Sequence, residues 1–223
     1  MSMAYVVCRH TATQSIGSLQ RLLLHSFILG LFVSDASALA ADDGIVVDRA
    51  QYANRAILTD FTAACPDNPR DLVQMKGNLY RHTTGTGLAV HSGFVLITKE
   101  GALLIDPAMT CTATWLRDEI KRRFNVAVAY VIYTHAHADH ISGGQIFQQD
   151  GAIIVANQRA IEPIVGEKLP TAVPDRVFDK DMKITLGGET VLLHRVAPSH
   201  SNSMTMVLFP GYKALQCTDV CES

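Results

Sequence analysis

The sequence lacks an excess of charge of either sign. Its 19 lysines and arginines are balanced by 21 aspartates and glutamates, which leaves a formal net charge of −2 at pH 7. A nucleic-acid-binding domain usually carries a basic face. The charge balance therefore gives no support to a nucleic-acid partner.

Internal repeats and low-complexity tracts are also absent from the 223 residues. Apolar residues make up 48% of the chain and charged residues 18%. This is a globular composition, and it excludes a chain that is disordered along its length. The length suits one domain with a hydrophobic core, alone or with a targeting segment.

The apolar stretch near the N-terminus, Leu22–Val33, is too short to span a bilayer, which takes about 20 residues. Arg21 precedes it, and small residues follow as far as Ala38-Leu39-Ala40. This is the order of parts in a secretory signal peptide. We predict that residues 1–40 are a signal peptide, that the mature protein is secreted or periplasmic, and that it keeps no stable membrane anchor. A buried core helix is the alternative, and a start downstream of Met1 would shorten an unusually long leader.

Cysteine is scarce, and its positions fit the predicted export. Cys8 would leave with the leader, so four cysteines would enter a compartment in which disulfides form. Four cysteines allow three pairings, and the sequence does not choose among them. These four are Cys65, Cys111, Cys217 and Cys221.

The mature chain is predicted to begin with an N-terminal extension over residues 41–77, partly helical, before a β-rich pattern starts at Asn78. Residues 93–107 alternate as two strands of a hairpin that turns at Lys99-Glu100-Gly101. Helices alternating with strands and hairpins favour an α/β protein built of layers. The other predicted elements are a helix over 114–124, a buried strand over 126–134, a helix, a strand at Ala152–Val155 and a second helix after Gly143-Gly144, and hairpins that turn at Gly187-Gly188 and Pro210-Gly211.

The stretch YTHAHADHISGG, residues 133–144, is the strongest chemical signal in the chain. Its ligating side chains, His135, His137, Asp139 and His140, directly follow the predicted buried strand. Residues two apart in extended backbone face the same side, whereas Asp139 and His140 follow once the chain has turned. One motif can therefore serve two metal positions about 3.5–4 Å apart.

A surface histidine tract is the plain alternative, but a buried strand does not normally lead into one. Burying so many polar groups without a partner would cost several kcal/mol. Imidazole suits zinc, and carboxylate can complete its coordination. The pattern therefore predicts a metal site.

The H-x-H-x-D-H motif after an apolar strand resembles that of the metallo-β-lactamase fold superfamily of zinc hydrolases. The resemblance runs from about Asn78 to Asp219. It implies an α/β fold, the αββα sandwich, over a domain that spans residues 78–223. The chain ends four residues after Asp219, where the family continues with further strands, a helix and one more ligating histidine, so we expect a C-terminally truncated member.

The resemblance also implies which residues bind one or two zinc ions. His135, His137 and His200 would hold the first, with His200 taken from the loop sequence PSHSNS. Asp139 and His140 would bind the second, which would lack its last ligand. Asp219 would bridge both.

The remaining candidates have weaker signals. Asp106, at the end of LLIDP, is implied to support the site without binding metal. His82, His91 and His194 lack any such context, so they are interpreted as surface or packing residues. Cys217 and Cys221 flank Asp219, where they could bind zinc, pair with each other or simply pack as strand cysteines.

The family resemblance implies hydrolysis of a small-molecule substrate. A metal-bound hydroxide would cleave an ester, lactone, thioester or amide (β-lactam) bond, with Asp139 as the catalytic carboxylate that orients it and receives its proton. The di-iron relatives that reduce oxygen usually carry glutamate where this chain has His137. A truncated, non-catalytic zinc-binding remnant is the first alternative, and an exported structural or binding protein with an incidental histidine cluster is the second. The substrate and the oligomeric state cannot be predicted from the sequence.

Overall fold

The computed structural model describes residues 41–57, 68–85, 90–196 and 198–220. The predicted signal peptide, residues 1–40, lies outside these residues, as do Cys65 and Cys221. Among the described helices, the model contains none that is long and apolar enough to cross a membrane.

The described residues form thirteen strands and four α-helices. The helices are α1 (Thr110–Phe124), α2 (Ala138–Ile141), α3 (Gly144–Gln149) and α4 (Ile161–Gly166). The strands are β1 (Ala41–Asp42), β2 (Ile45–Val46), β3 (Arg70–Lys76), β4 (Leu79–Thr84), β5 (His91–Thr98), β6 (Gly101–Ile105), β7 (Val128–Tyr133), β8 (Ile153–Asn157), β9 (Arg176–Phe178), β10 (Asp181–Leu186), β11 (Glu189–Arg195), β12 (Thr205–Phe209) and β13 (Ala214–Gln216).

The strands make two sheets. The larger has the order β2-β9-β8-β7-β6-β5-β4-β3, and the smaller has the order β1-β10-β11-β12-β13. Strands β6 to β9 pair in parallel, as expected where α1, α3 and α4 connect them. The predicted helix at α1 and the three predicted hairpins are confirmed, and the predicted strand at Ala152–Val155 is observed one to two residues later, as β8.

Two hydrophobic cores define the layers. One lies between the large sheet and its helices, where Leu116 and Ile120 of α1 pack with Val131. The other lies between the two sheets, where Ile132 of the same strand packs with Val207 of β12. Because successive residues of β7 enter opposite cores, this strand is apolar on both faces, which explains its continuous apolar sequence. The predicted sandwich fold is confirmed.

The predicted extension, residues 41–77, takes part in both sheets. Strand β1 pairs with β10, β2 pairs with β9, and β3 forms the outer strand of the large sheet against β4. The predicted boundary before Asn78 falls in the β3–β4 turn, and the only described helical segment here is a 3-10 turn, Arg49–Tyr52. Strands of two residues carry no alternating pattern, so sequence periodicity does not reveal them.

Chain direction brings functional residues to one edge of the large sheet. Strands β6 and β7 are parallel, so their C-terminal ends lie together, close to Asp106 and His135. Strand β5 runs antiparallel to β6, so its first residue, His91, lies at the same edge. Three consecutive strands therefore deliver polar side chains to one place.

Candidate metal centre

Three histidines from two loops form the first cluster. Their ligand nitrogens all lie within 4.8 Å of one another, in the set His135, His137 and His200. His200 Nε2 is 2.9 Å from His137 Nδ1. The backbone N–H of Thr205 donates to the Thr134 carbonyl at 2.8 Å, which holds the loop before β12 against the loop after β7. The structure therefore brings His200 to the motif, where the family resemblance places it.

A relay of hydrogen bonds orients His135. The Thr134 hydroxyl donates to Asp106 Oδ2 at 2.6 Å and lies 3.0 Å from His135 Nδ1. Because its proton is used on the carboxylate, the hydroxyl oxygen accepts from Nδ1–H of the imidazole. The Nε2 lone pair of His135 is then free, and this fully buried atom has no hydrogen-bond partner. A buried, unpaired lone pair that faces two other imidazoles indicates a ligand nitrogen.

A second cluster forms around the short helix α2. Asp139 Oδ2 lies 3.8 Å from His140 Nε2, and 3.7 Å from Nδ1 of His91. His140 is nearly buried, whereas half of the Asp139 side chain is exposed. These three residues form a second set whose ligand atoms lie within 4.8 Å of one another.

Asp219 lies between the two clusters. Its Oδ2 is 3.0 Å from His140 Nε2, 3.5 Å from His135 Nε2 and 3.7 Å from His200 Nε2. The residue follows β13 with φ of 54°, in the left-handed region, which aspartate tolerates better than most residues. One carboxylate oxygen thus faces nitrogens of both clusters, which is the position that the family resemblance implies for a bridging ligand.

Asp106 supports both clusters from behind. Its Oδ1 accepts the backbone N–H of Thr134 at 2.8 Å, and its Oδ2 is 3.4 Å from His140 Nδ1. The carboxylate is 2% exposed and holds the His140 ring nitrogen that faces away from Asp219. Ligating histidines commonly donate their second N–H to such a carboxylate. Asp106 thus contacts both Thr134 and His140 from behind the clusters, and its supporting role stays an implication of the family resemblance.

The pKa values of the two most buried histidines of the centre, His135 and His140, are shifted in opposite directions. Burial, and next the neighbouring His140, lowers the pKa of His135 to about 4. Burial alone would also lower the pKa of His140, but hydrogen bonding to Asp106 and Asp219 outweighs it and raises that pKa to about 10. The hydrogen bond from His140 in turn lowers the pKa of Asp219 to about 2. The carboxylates thus stabilise positive charge at the second cluster, and a divalent cation would supply that charge.

The pKa values of His137 and His91 are lowered as well, which favours the neutral form of both. Burial, followed by the proximity of His200, lowers the pKa of His137. Burial, followed by the proximity of His140, lowers the pKa of His91. Neutral imidazole is the form that binds metal.

Sequence reasoning missed His91. The sequence predicts a surface or packing residue, and the structure instead places its side chain, 22% exposed, beside Asp139. Its ring meets that of His140 edge-on, with the centroids 5.1 Å apart. The only signal in the sequence is its place at the start of a strand that runs antiparallel to the strand before Asp106.

The other two histidines match the prediction of surface or packing roles. His82 is buried, and its Nε2–H donates to the Ile105 carbonyl at 2.9 Å. His194 is exposed and pairs with Asp181. Cys217 is disulfide-bonded, so it is not available as a zinc thiolate.

The donor set fits a metal ion of the zinc type. Two donor atoms about 2.0–2.1 Å from a tetrahedral zinc ion lie about 3.3 Å apart. The separations between neighbouring donor atoms range from 2.9 Å for His200–His137 to 3.8 Å for His140–Asp139, on either side of that value. Imidazole nitrogens with carboxylate oxygens are typical zinc ligands.

Comparison with known proteins agrees with this geometry. A family model described as the metallo-beta-lactamase superfamily matches residues 85–221. The chain is 27% identical over 147 residues to the metallo-beta-lactamase IND-1 of Chryseobacterium indologenes, an alignment that covers 63% of this chain and 60% of that protein. It is 28% identical over 129 residues to a UPF0173 metal-dependent hydrolase of Cereibacter sphaeroides, covering 55% of this chain and 51% of that one.

Solved structures share the fold. The metallo-beta-lactamase from Pontibacter korlensis superposes with a TM-score of 0.58 at 23% identity, covering 64% of this chain and 68% of that chain. At this identity the likeness concerns the fold alone. The chain spans about 60% of the length of the curated relative IND-1.

Proposed function

Because the chain belongs to the metallo-beta-lactamase superfamily, a family of metal-dependent hydrolases, we propose that it is a zinc-dependent hydrolase of a small-molecule substrate. The observation that carries the proposal is the buried Nε2 of His135, which has no hydrogen-bond partner and faces His137 and His200. These three histidines would hold the first zinc ion. His140, Asp139 and Asp219 would bind at the second position.

A bound zinc ion would act as a Lewis acid and lower the pKa of a water molecule to about 7. The protein's own part is to orient the ligands and to handle protons. Thr134 and Asp106 fix the tautomer of His135, and Asp106 also fixes the ring of His140. A site built from fixed donors needs little reorganisation during the reaction.

Asp139 is the carboxylate to which we assign proton transfer. Its side chain is 50% exposed, whereas that of Asp219 is 29% exposed and lies between the histidine clusters. The Asp139 carboxylate is therefore the one that a substrate and water reach more easily. A general base must lie within hydrogen-bond reach of the proton that it accepts.

The open side of the centre admits the substrate. His200 and Asp139 are the exposed members, while His135 and His140 form the buried floor. An ester, lactone, thioester or β-lactam carbonyl would approach from that side. Because several relatives are named metallo-beta-lactamases, β-lactams are the first substrates to test.

The experiment combines metal analysis with a substrate panel. The purified chain is dialysed, its zinc content is measured, and turnover is followed on a β-lactam, a lactone, a thioester and an activated ester. We expect stoichiometric zinc and a loss of turnover of at least ~100-fold in His137→Ala, since a direct ligand matters more than its outer partners. The matched control is His194→Ala. His194 is exposed, pairs with Asp181 and belongs to neither histidine cluster.

The outcomes separate the proposal from its rivals. Zinc with no turnover on the panel would favour a non-catalytic zinc-binding protein. A folded chain without zinc would overturn the proposal.

We further propose that the protein is exported, on the strength of the sequence of residues 1–40. The disulfide at Cys217 fits an oxidising compartment. Fractionation of a bacterial host that expresses the full chain tests this, and mature protein confined to the cytoplasm would contradict it.

A further inference from the structure

We infer that His91 is a metal ligand at the second position of the centre, together with Asp139, His140 and Asp219. The inference rests on the proposed function, because it concerns the same metal centre. It assigns a binding role to a histidine that lies outside the H-x-H-x-D-H motif, on a different strand.

The donor atoms converge on one point. His91 Nδ1 and His140 Nε2 lie 3.7 Å and 3.8 Å from the same atom, Asp139 Oδ2. On its other side His140 Nε2 is 3.0 Å from Asp219 Oδ2. Two nitrogens and two oxygens thus surround this corner, which is the number of donors that tetrahedral zinc takes. Movements of a few tenths of an ångström would bring the longer separations to the zinc value of about 3.3 Å.

The fold holds His91 in this position. It is the first residue of β5 and pairs with Thr84 of β4. Two residues along, Gly93 lies so close to the Ile105 carbonyl and to His82 that a Cβ there would overlap both. The β5 backbone is therefore packed tightly against the end of β6, next to Asp106. A ligand on a central strand is placed more accurately than one on a loop.

The alternative role, a plain packing residue, explains the contacts less well. His82 is such a packing histidine: its Nε2–H donates to the Ile105 carbonyl at 2.9 Å, and its buried Nδ1 has no hydrogen-bond partner. His91 instead directs Nδ1 at Asp139 from 3.7 Å, too far for a hydrogen bond but suitable for two ligands of one ion.

The direct test is NMR on the wild-type chain. The histidines are labelled with ¹⁵N, the His91 signals are assigned by their absence in His91→Gln, and Zn²⁺ is added stepwise. We expect the His91 Nδ1 resonance to move to the metal-bound position with the second equivalent of zinc. A His91 signal that stays at its metal-free position at full loading would overturn the inference.

Metal affinity gives a second, independent measurement. Zinc is titrated into the metal-free chain in competition with a chromogenic chelator, for wild type, His91→Gln and the surface control His194→Gln. We expect the affinity for the second zinc to fall by at least ~10–100-fold in His91→Gln, with the first zinc unchanged. A second zinc that binds His91→Gln as tightly as wild type would overturn the inference.

Failure of this inference differs from failure of the proposed function. If wild type binds two zinc ions and His91→Gln also binds two with equal affinity, only the role of His91 is wrong. If the folded wild-type chain binds no zinc, both are wrong. Circular dichroism and thermal unfolding of the metal-free variants confirm that each is folded.

Discussion

Replacing Asp106 with asparagine tests whether one buried carboxylate organises both halves of the metal centre. Asp106 accepts two hydrogen bonds from Thr134, through the backbone N–H at 2.8 Å and the hydroxyl at 2.6 Å. Its Oδ2 also lies 3.4 Å from His140 Nδ1. Asparagine keeps the oxygen that accepts the backbone N–H, but it places an NH₂ group where Oδ2 was.

The magnitude follows from the groups that lose their partner. The change removes a hydrogen bond to a charged group, worth about 1.5–3 kcal/mol, and leaves a donor facing His140 Nδ1. We expect Asp106→Asn to lower the free energy of unfolding of the metal-free chain by about 3 kcal/mol. For a chain of this size that lowers Tm by about 6–12 °C. Zinc affinity falls by about 10–100-fold, as is typical when outer partners of ligands are lost.

The choice of asparagine isolates the carboxylate. Asp106 has φ of 47°, in the left-handed region, which asparagine tolerates as well as aspartate does. Alanine would add about 1–2 kcal/mol of backbone strain and so confuse the interpretation. The matched control is Asp181→Asn, the same change at a carboxylate that is 73% exposed and bonded to His194.

Two measurements check this prediction. Urea unfolding of the metal-free variants gives the free energies, and chelator competition gives the zinc affinities. The control should stay within about 0.5 kcal/mol of wild type, as exposed ion pairs contribute little. If Asp106→Asn also stays within that limit and binds zinc as wild type does, the reasoning about Asp106 is refuted.

Three further changes test the packing beside Tyr133, the titration of the buried His82 and the binding of the first zinc ion by His200. Gly144→Ala would place a Cβ on the buried hydroxyl of Tyr133, so we expect the free energy of unfolding, measured in urea, to fall by about 1–3 kcal/mol. In the control Gly166→Ala the new Cβ makes only ordinary van der Waals contact, so its free energy of unfolding should stay near that of wild type. Burial lowers the pKa of His82 below its ordinary value of 6.5, so the folded chain keeps it neutral; its contribution to stability is complete above pH 6.5 and lost as the pH falls below it. His82→Gln should therefore lose less stability than wild type between pH 7 and pH 5, and an equal loss would contradict this. His200→Ala should weaken the first zinc by at least ~100-fold while leaving the unfolding of the metal-free chain nearly unchanged, because its side chain is 41% exposed.

Local pattern predicted much of the fold. The hairpin turns at Lys99-Glu100 and Gly187-Gly188 and the helix α1 carry the turn residues and the periodicity that define such elements. The strands β1 and β2 do not, because two residues are too few to show a period. They are formed by pairing with β10 and β9, far along the chain, and this pairing is tertiary information.

The candidate site also contains residues that the local sequence pattern indicates and residues that it does not. The motif residues His135 to His140 could be predicted because four ligating side chains stand together after a buried strand. His200 has no such local signal, and only the family resemblance indicates it. In the structure, hydrogen bonds between the two loops hold it at the motif, from Thr205 N–H to the Thr134 carbonyl and from Ala136 N–H to Ser203 Oγ.

His91 shows why sequence distance hides a ligand. An isolated histidine at the start of a strand has no neighbours of its own kind, so its local pattern indicates nothing. Yet β5 and β6 form a hairpin, and in a hairpin the start of the first strand lies beside the end of the second. The end of β6 carries Asp106, which contacts Thr134 and His140. Once that hairpin is predicted, the position of His91 at the metal edge follows from chain direction.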